Sequence, residues 1–444
     1  MLLNIEYKTM SPHAVAADDA LFAKISWRLM PLLLTCYLVA NLDRGNVGFA
    51  QLQMKQSLPF GDAAYAFGAG VFFIGYLLFE VPSNLMLERF GVRKTFLRIM
   101  TTWGIVAAAM MFVQTTTQFF VLRFLLGALE AGFFPGVILY LTYWYPAARR
   151  GKIIALFMAA SVVGALVSGP LSGGIMKYLD GAAGYRGWQW LFLLEGLPAT
   201  VLGVMAFLYL HDGPAKARWL TPAERVVLAH CLTTDEYAVA KASHGSIKEL
   251  LRDKRIYLLS IAWCLFLGAT SAILFWSPTL VQSWGVKDVF MIGVLGVIPG
   301  LAGIVGMLLI GRSSDRLHDR RWHYFSCTAI AAVGIAATAL TLENLFLSMI
   351  ALTVATVGTS AASPLFFAAL SEYIPKKTAA AGVALVNSLG HLGPAFGPLV
   401  ITWINDSTDS PVYSLCCLSF IVLVSGCLLL AVIRPAGRSR LRPA

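Results

Sequence analysis

Charge is what this sequence has least of. Of its 444 residues only 13% are Asp, Glu, Lys or Arg, about half the roughly 25% usual in soluble domains. With 58% hydrophobic residues and a mean hydropathy of +0.72, that shortage excludes a soluble fold and makes the chain a membrane protein. The seven cysteines include no metal-ligand spacing, so they read as small apolar packing residues. No GxxxxGK[ST] loop is present, which excludes ATP as the driving force. His391 has no Ser–Asp or HxxxH companion, which argues against a membrane enzyme. No metal or cofactor is signalled beyond a proton as coupling ion. The first residues, with Glu6, Asp18 and Asp19, lack the apolar stretch of a cleavable signal, so a short tail before a retained span is expected.

Long apolar runs are abundant. About twelve reach the ~20 residues needed to cross a bilayer: near 26–50, 63–87, 95–115, 118–145, 152–177, 189–210, 257–284, 289–311, 322–341, 344–371, 378–404 and 411–433. If these alternate, one side collects Arg89, Arg93, Lys94, Arg149, Arg150, Arg312, Arg316, Lys376, Lys377 and the basic residues of both tails. The other receives only Lys55, Lys177, Arg186 and Lys287. This asymmetry places both termini in the cytoplasm and accounts for the net charge of +11 without nucleic acid, for which no basic module with stacking aromatics exists.

A polar stretch in the middle, containing DGPAKARWLTPAER, divides the spans six and six. TPAER reads as a helix start, with Thr221 as N-cap and Glu224 at N3. The expected layout is a tail (1–24), a six-helix bundle (25–211), a cytoplasmic loop (212–255), a second six-helix bundle (256–434) and a tail (435–444). The halves echo one another. Asn84, Glu88, Arg89, Gly91, Arg93 and Lys94 follow the second span, and Gly311, Asp315, Arg316, Arg320 and Arg321 follow the eighth. Pro135 and Tyr145-Pro146 of the fourth match Pro364 and Ile374-Pro375 of the tenth. Gly169-Pro170 of the fifth matches Gly397-Pro398 of the eleventh. Such duplication puts a substrate site at the midplane between the repeats. The paired loop motifs (Glu88, Arg89, Gly91, Arg93; Gly311, Asp315, Arg316) read either as topology signals or as contacts that break and re-form when the halves rock.

Asp43 and Arg44 lie inside the first span, where a charge costs roughly 2.5–3.5 kcal/mol on insertion scales and by default marks function. Consecutive helix residues do not face each other, so each needs a partner elsewhere. Arg123 and Glu130 share a face of the fourth span, two turns apart, and Glu130 is a candidate partner for Arg44 or Asp43. Burial favours a neutral carboxylic acid and a nearby arginine favours its anion, so Asp43 and Glu130 are candidate proton carriers. A static Arg–Glu clamp is the alternative. Arg44 stays charged, and its fork of donors fits a carboxylate. Asn41, Tyr76, Trp276, Ser363, Asn387 and His391 are candidates for lining the cavity. For any one of them a bond between helices is the competing role, with His391 able to titrate near neutrality. Glu195, in WQWLFLLEG, reads as structural and near a span's start.

The loop motifs, RFLLG and the six-plus-six layout resemble the major facilitator superfamily. YLVANLDRGNVGFA, LEAGFFPGVILYLTYWYP, WQWLFLLEG and VALVNSLGHLGPAFGP are similar to its anion:cation symporter branch, which carries tartrate, phthalate and hexuronates. The resemblance implies proton-driven uptake of small organic carboxylates, an arginine like Arg44 on the substrate, acids like Asp43 and Glu130 on the protons, and Arg123 linking them. Asn84 and Glu88 replace the usual glycine and aspartate of the first motif. Asn41 stands where sugar-acid members often have tyrosine, and His391 where they have asparagine or glycine. These departures point away from sugar acids and towards tartrate-like or aromatic acids. The expectation is an all-α, twelve-helix symporter of a bacterial inner membrane, working as a monomer. An exporter or antiporter on the same scaffold, a transporter-like receptor and a membrane enzyme are its rivals.

Overall fold

The computed structural model describes residues 12–59, 61–241, 247–317, 319–374 and 378–433. Among them regular structure is helical throughout, as lipid demands: a helix satisfies its own backbone hydrogen bonds where no water can. Twelve helical segments are long and apolar enough to span a membrane. The first six are Asp19–Ser57, Asp62–Leu87, Val92–Phe112, Thr116–Thr142, Ala148–Tyr178 and Gly187–Tyr209. The second six are Lys254–Ser283, Val289–Leu317, Arg321–Leu340, Leu345–Tyr373, Gly382–Thr408 and Pro411–Val432.

The first helix begins at Pro12, so the part of the expected 1–24 tail that lies among the described residues is helical. Its extension is fastened from outside: Asp19 pairs with Arg149 at 2.5 Å and Lys24 with Glu224 at 2.8 Å. Glu224 belongs to the middle-loop helix Pro222–Lys241. The expected capping box is there, with Glu224 N–H donating to Thr221 Oγ1 and Thr221 N–H to Glu224 Oε2. Lys24 holds the exposed Glu224 carboxyl below its ordinary range.

Two spans are broken. The fourth passes from helix Thr116–Glu130 to Phe133–Thr142 through Ala131 and Gly132. The eleventh breaks at His391, between Ala379–Gly390 and Leu392–Thr408. Within the first half the third span packs on the sixth and the second on the fourth. In the second half the ninth packs on the tenth and twelfth. Outward faces carry Leu78, Val81, Leu208, Leu340 and Phe420, all exposed, as a lipid-facing surface requires.

The halves meet along three seams: fifth span on eighth, second on eleventh, first on seventh. The first two are equivalent under the repeat, and each depends on a glycine. A Cβ on Gly293 would lie 2.0 Å from the Gly169 carbonyl oxygen, and one on Gly70 would lie 2.1 Å from that of Ala395. Gly48 meets Phe275 in the third seam. Tyr65 edge-on to Trp276, Gln51 with Thr279 and Lys177 with Asp288 at 2.5 Å join the halves at the same end. That end lies away from the termini, and there the bundle is closed.

Candidate functional site

Below those seams a cavity of about 530 Å³ separates the halves. The first half lines it with Asn41, Arg44, Phe49, Phe73 and Ser168, and the second with Thr270, Ser271, Ser277 and His391. Arg44 is the charged residue of this lining. Its Nε donates to Glu130 Oε1 at 2.6 Å, joining the first and fourth spans. Glu130 is fully buried and its Oε2 has no partner among the described residues. The guanidinium also lies 5.3 Å from the centre of the Tyr76 ring, and Tyr76 stacks on His391 at 5.3 Å. Tyr76, buried and not itself part of the lining, thus stands between a first-half arginine and a second-half histidine. His391 Nδ1 is bonded to the Asn387 carbonyl at 2.9 Å, which fixes the ring at the helix break.

Asp43 lies elsewhere. As the neighbour of Arg44 on a helix it points the other way, into the first bundle. Trp103 Nε1 donates to its Oδ2 at 2.7 Å and Asn46 Nδ2 to its Oδ1 at 2.9 Å. It is 1% exposed and does not line the cavity. Arg123 is equally buried. Its Nε donates to the Gly68 carbonyl at 3.1 Å, its guanidinium lies over Phe72, and Nη1 has no partner among the described residues. Among the described residues it is hydrogen-bonded to neither acid.

The remaining candidates divide. Asn41 faces the cavity, while its amide donates to the Tyr37 carbonyl at 2.7 Å. Asn387 accepts from Trp263 and Trp276 packs into the closed end, so both work as bonds between helices. Ser363 is half-buried on the tenth span and is not part of the lining. Phe49, Phe73, Ser168, Thr270, Ser271 and Ser277 are lining residues missed in the sequence. Thr270, Ser271 and Ser277 lie within two turns of one helix, the faint signal that was available.

The loop motifs are tied within their own halves. The Glu88 side chain lies outside the described residues. Arg89 is exposed and lies near Phe90. Gly91 has φ +85°, and a Cβ there would meet Asp212 Oδ1 at 2.7 Å. That Asp212 oxygen accepts the Arg93 N–H, while Arg93 Nε donates to the Phe207 carbonyl at 2.8 Å. Beside them burial and the cations Arg93 and Arg28 hold His211 below its usual pKa, which keeps it neutral. In the second half Asp315 pairs with Arg320 at 2.5 Å, and Arg320 reaches Glu372 at 3.4 Å. Arg316 is exposed. Gly311 has open space where a Cβ would stand, so no close approach requires glycine there.

Glu195 corrects the sequence reading more sharply. It is not near the start of its span but nine residues in, 2% exposed, and accepts a 2.8 Å bond from Ser172.

Comparison with known proteins completes the picture. A family model described as Major Facilitator Superfamily matches residues 33–338 and 288–444. NicT of Pseudomonas putida, provisionally named a metabolite transport protein, is 44% identical over 88% of this chain and 89% of its own. A protein of Agrobacterium vitis, provisionally named a tartrate transporter, is 41% identical over 94% of this chain and 92% of its own. Among solved structures, a D-xylose–proton symporter aligns with a TM-score of 0.72 at 14% identity, covering 92% of this chain and 98% of its own.

Proposed function

The chain belongs to the major facilitator superfamily, a family of multi-pass membrane transport proteins rather than enzymes, and from that premise we propose that it is a proton-coupled importer of a small organic carboxylate. The observation that carries the reading is the Arg44–Glu130 pair at the cavity wall. Glu130 occupies the Nε edge of a guanidinium that lines the cavity. A substrate carboxylate entering the cavity competes for that guanidinium, because Arg recognises carboxylates bidentately. Once displaced, Glu130 is a buried anion that has lost its hydrogen-bonded cation, and such a group costs several kcal/mol unless it takes up a proton. Substrate binding and proton binding are thereby linked. When the proton leaves, Glu130 reclaims Arg44 and expels the substrate.

Phe73 and His391 line the site from the two halves with aromatic faces, which suits a compact hydroxy acid or an aromatic acid. The name of the tartrate transporter relative supports the former. The asymmetry of the basic loops supports cytoplasmic termini. The closed end then faces outward and the cavity represents the inward-facing stage of alternating access in a cell inner membrane. A monomer contains every residue this cycle uses.

The test is uptake into proteoliposomes with labelled tartrate, galacturonate, phthalate and hydroxybenzoate. Acid on the outside should stimulate uptake of at least one of them, and Arg44→Ala should abolish it. Substrate leaving against the proton gradient would identify an exchanger or exporter instead. Tartrate counterflow would exclude a receptor that moves nothing.

A further inference from the structure

The eighth span gives the cavity wall no polar side chain. Its share of the lining is Gly293, Gly296 and Val297. Gly293, Gly296 and Gly300 recur at helical spacing, so they share a face, and that face meets the fifth span. Two of the three are closed off. A Cβ on Gly293 would lie 2.0 Å from the Gly169 carbonyl oxygen, and one on Gly300 would lie 3.0 Å from Leu166 Cδ2. Between them, a Cβ on Gly296 would meet nothing within 4 Å. Glycine weakens a helix relative to alanine, and no neighbour requires it here. The space left by its missing side chain belongs to the cavity.

Other parts of the wall are aromatic. Phe73 of the second span stands between Phe275 of the seventh and His391 of the eleventh, its ring centre 6.3 Å from each. Phe49 adds a further ring to the lining. Such a wall offers ring faces and edges to a flat ligand. The cavity's volume of about 530 Å³ also lies within the roughly 300–1,000 Å³ of sites that bury drug-sized ligands.

The polar groups of the seventh span select by the sense of their hydrogen bonds. Thr270 Oγ1 donates to the Phe266 carbonyl at 3.0 Å, Ser271 Oγ to that of Gly268 at 3.0 Å and Ser277 Oγ to that of Leu274 at 3.2 Å. Each hydroxyl proton is thus spent on its own helix, and lone pairs remain for a ligand. Lone pairs welcome a ligand O–H and repel a carboxylate. Among the described residues Arg44 is the one charged member of the lining. One carboxylate therefore finds a cation, and a second does not.

We propose that this cavity selects a hydroxylated aromatic monocarboxylate over tartrate, and that Gly296 is a specificity-determining residue because it leaves room for the ring. The inference rests on the carboxylate-importer reading above and narrows its substrate class. Arg44 takes the carboxylate, the ring fills the opening at Gly296 beside the aromatic wall, and the ring hydroxyl donates to Thr270 or Ser271. Tartrate shares the Arg44 contact. Its second carboxylate meets no cation, and its short chain leaves the opening unfilled.

Competition binding to the purified protein tests this, with labelled para-hydroxybenzoate as the probe and unlabelled para-hydroxybenzoate, benzoate, phthalate and tartrate as competitors. Para-hydroxybenzoate should compete at least about tenfold more tightly than tartrate. Benzoate, which lacks the hydroxyl, should fall between them, and phthalate, with a second carboxylate, should fall near tartrate. Gly296→Leu fills the opening: affinity for para-hydroxybenzoate should drop about tenfold or more, while that for tartrate stays within about threefold. If Gly296→Leu does not fold, Gly296→Ala carries the same comparison, with a loss of about threefold confined to the aromatic ligand. Tartrate binding as tightly as para-hydroxybenzoate to the wild type would overturn the substrate class. Equal loss of both ligands in the Gly296 variant, or of neither, would overturn the role of Gly296. Binding needs neither a gradient nor a direction, so this inference and its parent fail separately. The expected ranking without acid-stimulated uptake would refute the proton-driven importer and leave the ranking standing. Acid-stimulated tartrate uptake that para-hydroxybenzoate does not inhibit would do the reverse.

Discussion

The two halves share a fold and divide the chemistry. Every buried charged residue among the described ones (Asp43, Arg123, Glu130, Glu195) belongs to the first half. In place of charges the second half buries hydroxyls such as Ser260, Thr338, Thr402 and Ser425. To the cavity it contributes Thr270, Ser271, Ser277 and His391, while the first half contributes Arg44. A duplicated bundle thus keeps its buried charges in one copy and lines the cavity from the other with hydroxyls and an imidazole. Burying ions is costly and each needs its partners close by, so concentrating them in one rigid bundle spares the moving interface from carrying them.

The largest effect that sharpens this contrast is at Arg44. Arg44→Ala should weaken carboxylate binding by about 3 kcal/mol or more, over a hundredfold in Kd, because a charge-assisted bidentate contact is lost. Arg44→Lys should recover little of it, since a point charge cannot replace the fork. Next come Asp43→Asn and Glu130→Gln. Each should lose accumulation driven by a pH gradient, about tenfold per pH unit per proton, while counterflow persists. If both still concentrate substrate, the protons are held elsewhere and the division between halves fails.

Second-half changes should be smaller and of another kind. Thr270→Val, Ser271→Ala and His391→Gln should each alter affinity by about 1 kcal/mol, near fivefold, and change the ranking of substrates without touching proton coupling. A loss of coupling in His391→Gln would move a proton role into the second half. Smallest is the latch at the closed end. The Lys177 contact holds the exposed Asp288 carboxyl below its ordinary range. With a depressed value, the pairing is present above the ordinary carboxylate range and lost only as pH falls through the lowered one. Asp288→Asn should therefore leave the pH profile of uptake unchanged between mildly acid and neutral pH, and shift only the balance between inward- and outward-facing states, readable from cysteine accessibility.

Much of this division was legible in the sequence. Charges inside apolar spans stand out, and Arg44, Glu130 and Asp43 needed no structure to be singled out. The repeat was legible too, because its glycines and prolines recur at matching places, and the seams at Gly169–Gly293 and Gly70–Ala395 show what the small residues serve. Hidden from the sequence was direction. That Asp43 turns from the cavity towards Trp103 depends on which neighbour its helix face meets. That Trp276 seals the closed end depends on how the halves dock. The depth of Glu195 was hidden as well, because its partner Ser172 lies on another span and no spacing along one helix reveals it.

The most direct measurement is the proton balance of binding: tartrate added to weakly buffered, purified protein, with released or consumed protons read by an indicator dye. Displacement of Glu130 from Arg44 predicts uptake of about one proton per tartrate bound, and none in Glu130→Gln. Saturable tartrate binding by the wild type with no proton taken up would contradict it.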